Sequence, residues 1–224
     1  MPHSPEETPD TARKHRQTEP EQPPARKAGS GAHRHARYDY LNDAKLSKAL
    51  AYWNMKRGAR SMPQKADIVP GEIKPILPNI LLADVMENGT RFRCRLVGTG
   101  IVNAYGANIT GKYVGETLPN IDDDFTLDLY RTSYRERLPV FSRGTYVAPT
   151  ESSLVVNRLL LPLSDDDRLA NVIMAVLTFE YKGPDPGELG FGIQIDPSSS
   201  YLEVIEDIDT IFTEQGIAEQ ELPD

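Results

Sequence analysis

Histidine and cysteine, which carry most nucleophilic and metal chemistry in proteins, are few in this chain. The four histidines are His3, His15, His33 and His35, and the one cysteine is Cys94. No histidine lies beyond residue 35. This excludes three kinds of site from the rest of the chain: a Ser-His-Asp or Cys-His catalytic system, a histidine-ligated haem and a histidine zinc site. We expect no enzyme activity. A carboxylate-based enzyme is the one catalytic class that these residues leave open.

Two other local patterns resemble binding sites but favour structural roles. Gly98 and Gly100 follow a predicted strand as in a dinucleotide fingerprint, yet Asn103 stands where the third glycine belongs and antiparallel hairpins flank the segment. The run 122–124 is Asp-Asp-Asp, without the glycine and later glutamate of a calcium loop. We interpret the first as a turn into a helix and the second as a helix N-terminus that carries acidic residues.

Charge divides the 224 residues into segments of different character. Residues 1–37 carry seven basic and five acidic residues, are rich in proline and lack Val, Ile, Leu, Phe and Trp, so we expect a disordered tail. Residues 183–224 carry eleven acidic residues and no Lys or Arg, and their charge of -11 outweighs the +3 of the rest to give the net charge of -8. No apolar run is long enough for a membrane span or a signal peptide, so we expect a cytoplasmic protein. The basic stretch 26–37 is interpreted as solvated, which disfavours nucleic acid as a partner.

Hydrophobic spacing predicts a helix before the main domain. Asn42 is the expected N-cap of a helix over 43–57, and Leu46, Leu50 and Trp53 recur along one face. This face must pack either on the sheet or on a second subunit. Prolines punctuate the connector that completes segment 38–78.

From residue 79 the spacing changes to the period of two that is typical of strands. Residues 80–86 and 91–97 flank Asn88-Gly89, which predicts a hairpin with Phe92, Cys94 and Leu96 on its buried face. A short helix from Thr99 and a longer one over 121–137 follow. Strands are then predicted over 140–147, 154–163 and 169–181. The fold class is therefore α+β, with a five-stranded antiparallel sheet over 79–182.

The order of these elements and several short motifs resemble a known family. The motifs are Tyr52-Trp53, Lys56-Arg57-Gly58, Met62-Pro63, the run from Arg91 to Thr99, and Tyr105-Gly106. Over about 44–182 the chain is similar to small, mostly stand-alone PAS domain proteins of alphaproteobacteria. The resemblance implies a sensory or signalling module that binds a small ligand, docks a protein partner or dimerises. Cys94 lies in a strand, unlike the helical cysteine of light-sensing PAS domains, which disfavours a cysteinyl-flavin; the cofactor stays undetermined.

Two sets of residues are the candidate sites under this resemblance. The ligand candidates are polar or aromatic residues expected between the sheet and the helices: Tyr105, Tyr113, Tyr130, Tyr134 and Arg158. The partner candidates form the apolar stripe of the helix over 43–57 and that of an acidic helix expected over 200–213: Leu46, Leu50, Trp53, Tyr201, Ile205, Ile208 and Phe212. The leading hypothesis is a non-catalytic module that binds a ligand, a partner or both. The alternative is an interaction-only scaffold or dimerisation module with a filled core.

Overall fold

Seven strands of the described chain form one antiparallel sheet. A computed structural model describes residues 39–116, 124–148, 152–183 and 194–214. The strands are β1 (Ile80–Met86), β2 (Arg91–Val97), β3 (Val140–Val147), β4 (Ser153–Ser164), β5 (Ala170–Lys182), β6 (Gln194–Ile195) and β7 (Tyr201–Val204). Their order across the sheet is β2-β1-β5-β4-β3, and both β6 and β7 pair with the free edge of β3.

Four α-helices accompany the sheet in the described residues. They are α1 (Ala44–Arg57), α2 (Thr99–Tyr105), α3 (Asp124–Glu136) and α4 (Ile208–Glu214). Short 3-10 helices at Asp39–Asn42, Lys65–Asp67, Pro70–Asn79 and Glu87–Gly89 form the connections. No helix among the described residues is both long and apolar enough to cross a membrane.

The first hairpin confirms the pairing expected from Asn88-Gly89, with one change of face. β1 and β2 pair antiparallel, and Asn88 and Gly89 both adopt positive φ in the turn. A β-bulge shifts the register after Leu82, so that Leu82 pairs with Leu96 while Ala83 pairs with Cys94. An extra residue in one strand reverses the alternation beyond it. Leu96 is therefore 47% exposed, which corrects its predicted burial beside Phe92 and Cys94.

The sheet register separates an inner face from an outer face. On β4, Arg158 pairs with Ser142 and Leu160 with Val140, whereas Leu159 pairs with Phe141. Residues that pair directly across strands share a face, so Arg158 and Leu159 lie on opposite faces. We call the face that contains Arg158 the inner face. α2 and α3 pack on it through Tyr105 and Tyr130, and α1 covers part of the outer face, where Leu46 lies beside Phe141.

Helix α1 packs on the sheet. The sequence left two possibilities for its apolar stripe, the sheet or a second subunit. Leu46, Leu50 and Trp53 are 0% exposed, and the Trp53 Nε1–H donates to the Pro162 carbonyl oxygen of β4 at 2.8 Å. The N-cap is Asp43, whose carboxylate accepts from the backbone N–H groups of Lys45 and Leu46, and the predicted cap Asn42 lies outside the helix. A carboxylate at this position satisfies backbone donors that have no partner within the helix.

The C-terminal segment differs most from the prediction. Residues 200–203 match a helical capping box, yet Tyr201–Val204 is strand β7, and helix α4 begins only at Ile208. β7 pairs with β3 through Val140 to Arg143, and the Ile205 N–H donates to the Pro139 carbonyl oxygen at 2.9 Å. Pairing with the free edge of β3 satisfies several backbone N–H and C=O groups of residues 201–204, whereas a capping box satisfies only the groups at one helix end.

The remaining element boundaries lie close to their predictions. β3 has the predicted bounds, while β4 and β5 each differ by one residue at their ends. α2 has Gly98 rather than Thr99 as its N-cap and ends at Gly106, with φ +66°. α3 begins at Asp124, and the expected acidic residues at 122 and 123 lie outside the described residues. So does the predicted tail over 1–37.

Candidate functional site

A cluster of polar side chains lies within the otherwise apolar inner face. Arg158 of β4 is only 2% exposed, and its Nη2 donates to the Tyr146 hydroxyl at 2.6 Å. The Tyr146 hydroxyl is also 3.2 Å from the Thr126 hydroxyl on the first turn of α3. We call Arg158, Tyr146, Thr126 and Ser142 the inner polar cluster. It joins strands β3 and β4 to helix α3.

Ser142 is the cluster member whose hydroxyl has no hydrogen-bond partner in the part of the chain that the structure describes. It is fully buried on β3 and pairs directly across the sheet with Arg158. A buried hydroxyl without a partner costs about 1–3 kcal/mol. Such a group is therefore a candidate contact for a bound acceptor or donor.

The backbone of β3 makes room for the guanidinium group. A Cβ atom on Gly144 would lie 3.0 Å from Arg158 Nη1 and 3.5 Å from the Phe125 ring. Glycine therefore leaves space for the buried guanidinium group, since a larger residue would require Arg158 Nη1 to shift slightly. Gly144 lies two residues from Ser142 on β3, the strand that pairs with that of Arg158.

Two of the predicted tyrosines pack on the inner face. The Tyr130 ring of α3 lies 5.4 Å from the Phe92 ring, and the Tyr105 ring of α2 lies 5.8 Å from the Phe179 ring. These separations are typical of packed aromatic pairs. Tyr130 and Tyr105 therefore occupy space between sheet and helices.

The other two predicted tyrosines lie away from the inner polar cluster. Tyr113 forms an isolated bridge with Arg93 at the edge of β2, and Arg91 stacks on its ring at 3.6 Å. The Tyr134 ring covers Gly89 in the β1–β2 turn, where an added Cβ would collide with it. The structure therefore does not bring the five predicted residues into one site.

Two clefts open at the periphery of the described chain. The first, of about 250 Å³, lies between the β2 edge and α3, where Arg91, Tyr113 and Arg131 are among its lining residues. The second, of about 340 Å³, lies on the outer face beside α1, with Phe141 and Arg143 in its lining. Neither is lined by the inner polar cluster.

Contacts to the glycine pair Gly98 and Gly100 indicate backbone packing. A Cβ on Gly98 would lie 2.6 Å from the Leu77 carbonyl oxygen and closer still to that of Pro78. A Cβ on Gly100 would lie 2.9 Å from the same Pro78 oxygen. Both glycines allow the segment before β1 to lie against the start of α2. This packing supports the interpretation of the motif as a turn.

Cys94 is fully buried on the inner side of β2. Burial raises the pKa of its thiol to about 11, because the thiolate would lose its hydration. At neutral pH the side chain is therefore a protonated thiol and a poor nucleophile.

The predicted partner stripes are largely part of the protein's own core. Besides the α1 residues, Ile205 and Ile208 are 2% and 3% exposed, while Tyr201 and Phe212 are half-buried. The Tyr201 ring lies 5.9 Å from the Phe141 ring, and Asp209 of α4 forms an ion pair with Arg57 of α1. These side chains hold the C-terminal segment on the domain.

Three members of the inner polar cluster escape prediction from sequence. Ser142 and Tyr146 lie on β3 and Thr126 lies on α3, and their residue types are common in strands and helices. One signal was present: Ser142, Gly144 and Tyr146 alternate along β3 with the spacing that places them on one face. Arg158 was found because a charge in an apolar strand requires a partner.

Comparison with known proteins identifies the family. A model of the PAS domain matches residues 42–178, more than half of the chain. The chain therefore belongs to the PAS domain family, and its antiparallel sheet with flanking helices is the expected PAS-like fold. PAS domains are sensory and signalling modules. No curated protein matches the chain.

Proposed function

We propose that this protein is a cytoplasmic PAS-type signalling module that acts by contact with a protein partner and performs no catalysis. The observation that supports this most directly is the aromatic packing between sheet and helices. Tyr130 packs against Phe92 and Tyr105 against Phe179 in the layer where a ligand would lie. The two described clefts lie at the periphery. A filled core favours the interaction-only alternative.

The chemistry of the candidate nucleophile also supports a non-catalytic role. Cys94 is buried with a raised thiol pKa, and the four histidines precede residue 36. General acid–base catalysis near neutral pH depends mostly on histidine or on carboxylates with strongly raised pKa values. The carboxyl pKa shifts found among the described residues, at Asp67, Glu72, Asp166, Glu180 and Asp196, are all downward.

A second candidate function is small-ligand sensing at the inner polar cluster. Ser142 supports it, because its buried hydroxyl has no hydrogen-bond partner among the described residues and lies across the strand pair from Arg158. A small ligand with an acceptor group would use this hydroxyl and lie close to the guanidinium charge. Tyr130 and Tyr105 would have to move to admit it.

Native mass spectrometry of the protein purified from its own host separates the two functions. If the protein acts only by contact with a partner, its measured mass should be that of the chain without a bound small molecule. A partner protein should then co-purify, and its recovery should be unchanged in Arg158→Met and Ser142→Ala. The ligand function predicts an added small mass that both substitutions reduce. Thermal melts of each variant establish that it is folded. A ligand that the wild type retains and that both folded variants lose would refute the interaction-only role.

A further inference from the structure

Helix α3 is followed by an arginine whose backbone is strained. Arg137 comes directly after the last helical residue, Glu136, and has φ +57°, while its N–H donates to the Ser133 carbonyl oxygen at 3.0 Å. Glycine is the usual residue at this position, because a Cβ atom is sterically unfavourable in the left-handed region. The Arg137 side chain is exposed, so its burial does not offset the strain. A strained residue on the surface is a candidate for a binding role.

Arg137 meets the turn between β4 and β5, which contains a second exposed arginine. Its Nη1 donates to the Arg168 carbonyl oxygen at 3.3 Å. Each of these two arginines is followed by a leucine: Leu138 is half-buried, and Leu169 is 55% exposed. Neither arginine forms an ion pair with a carboxylate in the part of the chain that the structure describes. We call Arg137, Leu138, Arg168 and Leu169 the Arg-Leu patch.

Hydrogen bonds within the turn hold Leu169 in its exposed position. Asp166 Oδ1 accepts from the backbone N–H groups of Arg168 and Leu169 at 3.0 and 3.2 Å. The Ser164 hydroxyl donates to the Leu169 carbonyl oxygen at 2.7 Å. These backbone bonds, more than the charge of Arg168, lower the pKa of the Asp166 carboxyl. Because the turn is already ordered, a bound partner would lose less affinity to the ordering of its contact surface.

The two aspartates that flank Asp166 in this turn bond to the segment after α1. Asp165 pairs with Lys65 at 3.2 Å, and Asp167 Oδ1 accepts from the Ser61 hydroxyl at 3.0 Å. α1 lies on the outer face of the sheet, whereas α3 lies on the inner face. These carboxylates are therefore engaged on the α1 side of the turn, away from Arg137 on its α3 side.

We infer that the Arg-Leu patch binds an acidic segment of a partner protein in which aspartate or glutamate flanks an apolar side chain. The partner's carboxylates would pair with the two guanidinium groups, and its apolar side chain would cover Leu169. A patch of four residues fits a short peptide segment better than a large folded interface. The inference rests on the proposed function, since it names the surface and the partner chemistry of that contact.

A short fluorescein-labelled peptide of aspartate, glutamate and leucine is the probe, and fluorescence anisotropy measures its binding to the purified full chain. Arg137→Glu with Arg168→Glu should weaken binding at least about tenfold, because like charges then face each other across the contact. Leu169→Ser should weaken it roughly fivefold, since less apolar surface is covered. The matched control is Lys74→Glu with Lys112→Glu, which makes the same change in net charge at exposed positions outside the patch and should leave binding unchanged.

Arg137→Gly separates a binding role from a structural one. Glycine relieves the strain at this position, so the Tm should equal or exceed that of the wild type. Binding of the probe should nevertheless weaken, by up to about fivefold, because one exposed ion pair with the peptide is lost. A residue with only a structural role would instead lower the Tm when it is replaced.

Several outcomes would overturn the inference. They are no saturable binding by the wild type, full binding by a folded patch variant, equal loss in the lysine control, and a lower Tm for Arg137→Gly. Equal binding of a probe with serine in place of leucine would also contradict it, because the contact would then depend on charge alone. Circular dichroism establishes that each variant is folded.

Co-purification distinguishes failure of this inference from failure of the proposed function. A partner protein that is recovered equally well with the wild type and with the double arginine variant would leave the contact function standing and overturn the role of the Arg-Leu patch. If no partner is recovered with the wild type, the proposed function fails, and the anisotropy measurements still decide whether the patch binds acidic peptides.

Discussion

Replacement of Gly98 by alanine tests whether the glycine pair before α2 is a packing device. An added Cβ would lie 2.6 Å from the Leu77 carbonyl oxygen and closer to that of Pro78, and both are backbone atoms that cannot rotate away. Overpacking of this kind costs about 1–3 kcal/mol and occasionally more. Because two fixed oxygens are involved, we expect a loss of about 3 kcal/mol in the free energy of unfolding.

Thermal and urea denaturation measure this loss against two matched variants. For a chain of this size, about 3 kcal/mol corresponds to a fall in Tm of roughly 6–12 °C. Gly100→Ala should cost less, since its nearest atom is 2.9 Å away. Gly71→Ala should be neutral or slightly stabilising, because an added Cβ meets nothing within 4 Å and its φ is not positive.

The result that would refute the packing argument is a Gly98→Ala protein as stable as Gly71→Ala. A dinucleotide site would give a different outcome again. In that case NAD or ATP would raise the Tm of the wild type, and the rise would be lost in Gly98→Ala. We expect no shift with either nucleotide.

Three further predictions concern the core, the outer face and helix α4. Cys94 should react with iodoacetamide only as fast as the protein unfolds; rapid labelling of the native protein would contradict its burial. Arg143 holds the pKa of the Glu180 carboxyl below its usual value, so that stability is present above about pH 4.5 and is lost as the pH falls through the folded pKa. Arg143→Met should therefore lower stability by up to about 1 kcal/mol at pH 7 and by less as the pH falls through the folded pKa, as urea titrations over this pH range would show. Ile208→Ala should cost about 2–5 kcal/mol, whereas exposed Thr210→Ala should cost under about 0.5 kcal/mol; equal melts would mean that α4 is not packed.

Much of the fold could be predicted because its signals are local. The period of two along 140–147 and the turn residues Asn88-Gly89 define strands and a hairpin without reference to the rest of the chain. Two predictions were wrong for reasons that lie elsewhere in the chain: the buried face assigned to Leu96 and the helix assigned to Tyr201–Val204. The bulge opposite Leu82 exposes Leu96, and the free edge of β3 makes Tyr201–Val204 a strand.

Less of the candidate site could be predicted, because its members come from three elements. Arg158 could be selected as a charge within an apolar strand, but its neighbours Ser142, Tyr146 and Thr126 are ordinary residues until β3, β4 and α3 are assembled. Tyr113 was expected beside them on residue type alone. The edge position of its segment puts it with Arg91 instead.

By itself, the amino-acid sequence determined the order of helices and strands from α1 to β5, the small number of histidines and the acidic character of the C-terminal segment. These depend on residue types and on spacing along the chain. Only the tertiary structure decided which apolar stripes are core, as for α1 and Ile208, and which side chains meet across the inner face. It also placed the arginines of β2 and the acidic C-terminal strands β6 and β7 at opposite edges of the sheet. Burial and charge separation depend on which elements become neighbours, and the pairing of distant strands decides that.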